Sequence, residues 1–151
     1  MPKHKHSHYL VTFTLDDKSF AVPLETVIRV EQAVKITPVP GAPRHLMGII
    51  NHHGSIVPVL DLRYKLGLEC RPVNINDQLL LVQCHNRSIV LTVDSVEGVK
   101  LLKSPAAAEE LLGTSEEIKQ IMLDSKKIIL ITSPDDLFKS EEIKKIPEYL
   151  K

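Results

Sequence analysis

Short aliphatic segments separated by turn-forming residues constrain the fold of this chain more than any other feature of its 151 residues. The segments Tyr9–Leu15, Leu79–Cys84 and Ile128–Ile131 have four to seven residues, which is the usual length of a β-strand. Asp16-Asp17-Lys18 and His85-Asn86-Arg87 stand between consecutive segments and are typical of tight turns. The intervening stretches lack the helix of roughly ten residues that joins parallel strands in α/β folds. We therefore predict a mainly β fold made of hairpins, as small barrels or a sandwich.

The pattern predicts four hairpins, within residues 9–22, 46–60, 79–93 and 118–131. Three prolines within residues 37–43 exclude a helix or a central strand there and predict a stiff loop. Asp61 is placed to cap a short helix that runs through Leu66. Ser133 is placed to cap a second helix, with Pro134 at its first position, that continues toward Lys145. Helices are thus predicted to be few and brief.

Composition excludes several classes of protein. Hydrophobic residues make up 43% of the chain, which argues against disorder. Nineteen basic and nineteen acidic residues cancel, so the basic stripe that a general nucleic-acid binder presents to phosphates is missing. No apolar run approaches the roughly 20 residues that span a bilayer, and residues 1–8 are polar, without an apolar signal region. We predict a cytoplasmic protein without direct membrane insertion, in which Cys70 and Cys84 are reduced thiols.

The seven histidines are the obvious candidates for a metal site. Such a site needs three or four convergent ligands. His52 and His53 are adjacent, and adjacent residues in a strand point to opposite faces, so we predict that they do not share an ion. The alternating histidines of the N-terminal segment could chelate an ion weakly: these are His4, His6 and His8. We predict no metal and no cofactor.

Catalytic patterns are missing from the sequence. Ser55 follows a glycine but lies outside a G-x-S-x-G elbow, and the chain has neither a phosphate loop nor a dinucleotide fingerprint. Asp61 and Asp94 each follow an apolar strand, where capping and turn roles account for them. We predict no catalytic residues and no enzymatic activity. A binding module is the interpretation that remains.

One segment carries a family resemblance. Residues 48–63 read GIINHHGSIVPVLDLR and resemble the hallmark of the CheW family of chemotaxis coupling proteins. That hallmark has a glycine, an asparagine, an arginine–glycine pair, a proline among aliphatic residues and a closing Asp-Leu. Val93-Asp94-Ser95-Val96 and Asp136-Leu137-Phe138 are similar to further family segments. The resemblance covers about residues 8–140 as a single CheW-like domain, with residues 141–151 as a C-terminal helix or tail.

The resemblance implies a fold of two SH3-like five-stranded β-barrels that pack together around a hydrophobic junction, with short helices. Subdomain one would hold about residues 16–80. Subdomain two would hold about residues 8–15 and 81–140. The prediction from the hairpin pattern agrees with this fold class.

The implied function is that of a non-enzymatic chemotaxis adaptor, recruited to membrane receptor arrays. It would couple the regulatory domain of a CheA-type histidine kinase, docked on one barrel face, to the cytoplasmic tip of a chemoreceptor, held in the groove between barrels. Seven residues are expected to contact partners: Val27, Arg29, Gly48, Asn51, His53, Val93 and Val96. Gly54, Pro58 and Asp61 are expected to shape the hairpin and its end, a role that Gly48 and Asn51 share.

Two positions depart from the family pattern. His53 stands where arginine is usual, so a ring close to neutrality replaces a permanent cation. Arg29 stands where many members have glutamate. Two alternatives therefore stay open: a divergent accessory module that binds the kinase but not the receptor, and a small barrel that binds metal or nucleic acid.

Overall fold

The computed structural model describes residues 9–113 and 116–147. The N-terminal histidines and the last four residues of the predicted C-terminal helix or tail lie outside this part of the chain. The described strands are β1 (Tyr9–Leu15), β2 (Lys18–Pro23), β3 (Val27–Gln32), β4 (Leu46–His52), β5 (Ser55–Leu60), β6 (Gln78–Cys84), β7 (Arg87–Val93), β8 (Ser95–Leu101), β9 (Ala106–Ala107), β10 (Gln120–Asp124) and β11 (Lys127–Ile131). The helices are α1 (Leu62–Lys65), α2 (Ala108–Leu112), α3 (Pro134–Leu137) and α4 (Ser140–Lys144), and a 3-10 turn covers Leu24–Thr26.

The strands form two sheets. One has six strands in the order β8-β1-β2-β11-β10-β9, and the other has five in the order β3-β6-β7-β5-β4. All four predicted hairpins are confirmed as antiparallel pairs: β1–β2, β4–β5, β6–β7 and β10–β11. Parallel pairing joins β2 to β11 and β5 to β7. The predicted mainly β fold with two sheets and short helices is therefore confirmed, and the short β9 adds a sixth strand to one sheet.

The five-stranded sheet curls so that its outer strands meet: Thr37, just beyond β3, exchanges two backbone hydrogen bonds of 2.9 Å with Ile49 of β4. Backbone closure of this kind covers strand edges that would otherwise present unpaired groups. The six-stranded sheet curls as well, but the contact recorded across it is between side chains: Lys100 of the outer strand β8 lies 2.7 Å from the Asp124 carboxylate of β10.

Three hydrophobic clusters account for the core. The largest combines side chains of both sheets with the C-terminal helices, and Phe13, Leu60, Leu80 and Phe138 are among its fully buried members. A second lies within the five-stranded sheet, and a third, around Met122 and Ile129, within the six-stranded sheet. Because successive β-strand residues face opposite sides, β6 sends Leu79 and Leu81 into the second cluster and the intervening residues into the first. The main core is thus the junction between the two sheets.

The strand pairing divides the chain differently from the predicted subdomains 16–80 and 8–15 plus 81–140. β2 stays with β1 in the six-stranded sheet, because the first hairpin is not split. β7 stays with β6 in the five-stranded sheet, so the predicted border at residue 80 falls inside a strand. The five-stranded unit spans β3 to β7, and the other unit takes both flanks of the chain.

The C-terminal helix is interrupted, in contrast to the prediction of a helix continuing from Ser133 toward Lys145. The Ser133 hydroxyl accepts a hydrogen bond from the Asp136 N–H and caps α3 as expected, with Pro134 in the first turn. Phe138 is extended, with φ −126° and ψ 126°, and a new helix begins at Ser140. The Phe138 ring at this break is fully buried in the main core.

Candidate functional site

The tip of the β4–β5 hairpin is built by the residues of the sequence hallmark. His53 and Gly54 form a two-residue loop with φ of 54° and 87°, the left-handed conformation that hairpin turns of this kind require. The Asn51 side-chain oxygen accepts a hydrogen bond of 2.9 Å from the Gly54 N–H. Asn51 and Gly54 therefore hold the turn, and the His53 side chain is exposed at its tip.

A polar group of four residues lies where this tip meets β3, and we call Arg29, Glu31, His52 and His53 the hairpin-tip cluster. His52 Nε2 lies 2.9 Å from Glu31 Oε2, and the Arg29 guanidinium lies 3.6 Å from the same oxygen. The hydrogen bond from His52 lowers the pKa of the Glu31 carboxyl, and Arg29 and His53 add to that shift. The structure thus brings the two predicted residues Arg29 and His53 together around Glu31, a residue that sequence reasoning missed.

The arrangement of the two histidines differs from the sequence-based argument. Adjacent strand residues point apart, but His53 belongs to the turn, and its positive φ rotates its side chain toward its neighbour. The ring centroids of His52 and His53 are 4.4 Å apart with the rings edge to face. The expectation that the His52 and His53 side chains point to opposite faces was therefore wrong.

Gly48 is buried at the point where the five-stranded sheet closes. A Cβ at this position would lie 2.5 Å from the Thr37 carbonyl oxygen and 2.6 Å from the Ile36 Cγ2. Pro58 is also buried, in β5 opposite Ile49. A side chain at residue 48 would push apart the two segments that close the sheet.

The other predicted contact residues lie in or beside the junction of the two sheets. Val93 is 1% exposed, so its side chain faces the core rather than a partner. Val27 and Val96 are half-buried and pack against the junction cluster from outside. Each valine is therefore a partly exposed apolar side chain at the edge of the junction cluster, and we call Val27 and Val96 together the seam.

An exposed apolar surface lies on the outer strand of the six-stranded sheet. β8 alternates regularly between exposed and half-buried residues, and Val99 is 57% exposed. Leu101 and its cross-strand partner Tyr9 are each about half exposed. We call Tyr9, Val99 and Leu101 the β8 patch. Clustered apolar side chains on an outer strand are typical of a protein interaction surface.

A cavity of about 790 Å³ opens beside the five-stranded sheet. Its apolar walls come from the segment after β3, from Met47 and from the loop before β6, where Ile75 is 85% exposed. The three wall segments are separate in sequence, so no local sequence pattern predicts the cavity.

Arg63, which directly follows the Asp-Leu pair that closes the hallmark, joins the two halves of the molecule. Its side chain is almost completely buried and lies 2.7 Å from Asp16, in the β1–β2 turn, and 2.6 Å from Asp94, between β7 and β8. Arg71 binds the same Asp94 oxygen at 2.7 Å and also pairs with Asp77. Burial raises the pKa of Asp94, but hydrogen bonds from the Asp16 N–H and Arg63 outweigh it, so the pKa is lowered. Asp94, predicted as a turn residue, is thus the centre of an ion-pair network.

Asp61 accepts a hydrogen bond of 3.2 Å from the Tyr64 N–H and caps α1, as predicted. Cys84 is buried and Cys70 exposed, and both are free thiols. Across residues 9–113 and 116–147, the structure has no helix that is both long enough and apolar enough to cross a membrane.

Comparison with known proteins gives one consistent result. The model of the CheW-like domain matches residues 9–142. The chemotaxis protein CheW of Rhizobium meliloti (strain 1021) is 24% identical over 139 residues, which cover 88% of each chain. Protein FrzA of Myxococcus xanthus is 32% identical over 111 residues, covering 67% of this chain and 69% of FrzA. The crystal structure of the scaffolding protein TtCheW from Thermoanaerobacter tengcongensis superposes with a TM-score of 0.79 at 25% identity, covering 95% of this chain and 98% of TtCheW.

Proposed function

The chain belongs to the family of CheW-like domain proteins, and on that basis we propose that it couples a CheA-type histidine kinase to chemoreceptors as a non-enzymatic adaptor. The observation that carries the proposal is the family match over residues 9–142, together with a scaffolding protein of the same fold. In this role the protein works in the cytoplasm and is recruited to receptor arrays at the membrane. Catalytic groups are not needed for it, since affinity for two partners is the whole activity.

We assign the receptor tip to the seam and the hairpin-tip cluster. A receptor tip is a helical hairpin, and helices commonly bind by laying apolar side chains in an apolar groove. Val27 and Val96 give the seam its apolar floor, and the exposed Arg29 and His53 supply polar contacts beside β3. Gly48 and Asn51 act indirectly, because they shape the hairpin that carries His53.

We assign the kinase regulatory domain to the β8 patch. Two barrels that dock edge to edge bury exposed apolar side chains on an outer strand, and they also cover its unpaired backbone groups. The β8 patch offers both features, because β8 is the terminal strand of the six-stranded sheet and carries Val99 and Leu101 outward. Neutral overall charge adds no long-range repulsion between the partners.

Titration calorimetry with the kinase regulatory domain and, separately, with the receptor tip tests the adaptor function. We expect binding to both. Val99→Asp should weaken kinase binding roughly tenfold or more, because it buries a charge in the contact. Leu123→Asp is the matched control, since Leu123 is 66% exposed, against 57% for Val99, but lies on β10. Failure to bind either partner at about 100 μM, which detects free energies near −5.5 kcal/mol, would rule the adaptor function out.

The departures at Arg29 and His53 favour a second candidate, an accessory module that binds the kinase but not the receptor. The family pattern has a carboxylate at residue 29 and a guanidinium at residue 53. Here Arg29 pairs with Glu31, and His53 carries no guanidinium, so the hairpin tip lacks the family's pair of opposite charges at these two positions.

If the second candidate is right, the double variant Arg29→Glu/His53→Arg should gain receptor affinity by about tenfold or more, the effect of about 1.4 kcal/mol of charge complementarity. Kinase affinity should stay unchanged, which provides the internal control. The single variant Arg29→Glu should gain nothing, because it sets a second carboxylate beside Glu31 without a cation. Equal receptor affinity of the double variant and the parent would contradict this candidate.

A further inference from the structure

We propose that Glu31, His52 and His53 form a binding site for a divalent transition-metal ion, with Zn²⁺ as the ion best suited to it. The inference rests on the geometry of the hairpin-tip cluster and goes beyond the adaptor function. One carboxylate and two imidazoles are a common set of zinc ligands, and three protein ligands leave a fourth position for water or a partner's side chain.

The ligand atoms are already close together. One side-chain nitrogen or oxygen from each of the three residues lies within 4.8 Å of the others, and His52 Nε2 and Glu31 Oε2 are 2.9 Å apart. Ligands of tetrahedral zinc stand about 2.0–2.1 Å from the ion and so about 3.4 Å from one another. The exposed His53 therefore has to move its ring nitrogen inward by at most about 1.4 Å, the difference between these two separations.

The backbone holds the three positions in place before any ion binds. Glu31 lies on β3 and His52 on β4, which are the two outer strands of the five-stranded sheet. The exchange of backbone hydrogen bonds between Thr37 and Ile49 keeps those strands together, and the Asn51–Gly54 hydrogen bond fixes the turn below His53. A site whose backbone is set by the fold loses little conformational entropy when the ion binds.

A second group of potential ligands in the described part of the chain does not offer a comparable site. Cys84, His85 and Asp135 also lie within 4.8 Å of one another. The Cys84 thiol is fully buried and donates a hydrogen bond to the Pro134 carbonyl, and burial raises its pKa to about 12, so an ion would have to break that hydrogen bond and deprotonate a buried thiol. His85 Nε2 lies 2.7 Å from the Phe138 carbonyl oxygen and is therefore already engaged.

Arg29 competes with the ion. Its guanidinium lies 3.6 Å from the same Glu31 oxygen that a cation would use, and more than half of its side chain is exposed. A bound ion would displace Arg29 from Glu31 and place a positive charge on the hairpin tip. This is the place where the family pattern carries arginine instead of His53, so the ion would restore a cation there.

A calorimetric titration of the full chain with Zn²⁺ tests the site. The background variant carries His4→Gln, His6→Gln and His8→Gln, which removes the alternating histidines that could chelate an ion on their own. We expect one Zn²⁺ to bind per chain in this background and to raise the melting temperature, since a ligand that binds only the folded state stabilises it. Co²⁺ in place of Zn²⁺ should give the visible absorption of a four-coordinate nitrogen–oxygen site.

Three further substitutions in that background locate the ion. His53→Gln should weaken zinc binding by at least about 100-fold, because it removes a ligand, and loss of a residue that only supports a ligand already costs roughly 10- to 100-fold. Arg29→Gln should strengthen binding, because it removes the competing cation. His85→Gln should change nothing, which separates this site from the group around Cys84.

The proposal is overturned if the background variant binds no Zn²⁺, if His53→Gln binds as tightly as the background, or if His85→Gln rather than His53→Gln abolishes binding. His53 is exposed at a turn, so its replacement leaves the fold intact, and circular dichroism of each variant verifies this. Because no partner protein takes part, failure of the zinc site and failure of the adaptor function are distinguishable.

Discussion

Replacing Arg63 with methionine is expected to lower the free energy of unfolding by about 2 kcal/mol, below the roughly 3–5 kcal/mol for breaking a fully buried ion pair, because the Asp16 and Asp94 carboxylates are partly exposed. Arg63 is 5% exposed and is the contact that ties α1 to the β1–β2 turn and to the β7–β8 turn. Methionine keeps most of the volume of the side chain but leaves Asp16 without its cation and Asp94 with Arg71 alone. Urea denaturation followed by circular dichroism measures the loss.

Two controls belong to the Arg63→Met measurement. Arg44→Met removes an exposed guanidinium that stacks 5.0 Å from the Tyr64 ring, and it should cost about 1 kcal/mol or less.

The second control is pH. Because the pKa of Asp94 is lowered on folding, its contribution is present above the pKa of free aspartate and is lost as pH falls through the lower folded value. The difference between parent and Arg63→Met should therefore shrink below about pH 4, and a difference that stays constant to pH 2 would contradict the network.

Gly48→Ala is expected to destabilise the protein by about 2 kcal/mol, within the range for overpacking a closed core. The added methyl group would lie 2.5 Å from a backbone oxygen, which cannot move without breaking the hydrogen bonds between Thr37 and Ile49. The measurement is again the urea midpoint, taken without any partner.

A double variant identifies the source of that loss. Ile36→Ala removes the methyl group at 2.6 Å but leaves the Thr37 carbonyl oxygen in place. The double variant Gly48→Ala/Ile36→Ala should therefore be more stable than the sum of the two single losses predicts, but only part of the loss caused by Gly48→Ala should be recovered. If Gly48→Ala kept its urea midpoint and lost receptor binding instead, Gly48 would be a partner contact and the steric explanation would be wrong.

Local chemistry explains why the hairpins and caps were predictable. Each hairpin depends on alternation and on turn residues a few positions apart, and the Ser133 and Asp61 caps depend on hydrogen bonds that span three residues. The helix beyond Ser133 was not predicted to break, because burial of the Phe138 ring against distant residues outweighs local helix propensity.

Long-range contacts explain what remained hidden in the candidate site. The family resemblance drew attention to Arg29 and His53, yet Glu31, which joins them, belongs to no motif. Asp94 lies in a segment that resembles the family, but nothing local indicates that it meets Asp16, 78 residues earlier in the sequence, through Arg63. The two-residue alternation of a strand predicted the wrong direction for the His53 side chain, because His53 lies in the turn and its positive φ sets that direction. The sequence alone could therefore indicate the hairpin but not the cluster of charges around it.

The pairing of β2 with β11 has a consequence for how the chain is made. The five-stranded sheet uses one continuous stretch from β3 to β7, so it can assemble as soon as that stretch leaves the ribosome. The first hairpin, β1–β2, is synthesised earlier, but its neighbours are β8 and the parallel strand β11, where Ser19 meets Ile129. Contacts of such sequence separation form slowly, because a large loop must close first. The first hairpin is therefore the last part of this domain to gain its neighbours, and its two edges stay unpaired until β8 and β11 have been synthesised.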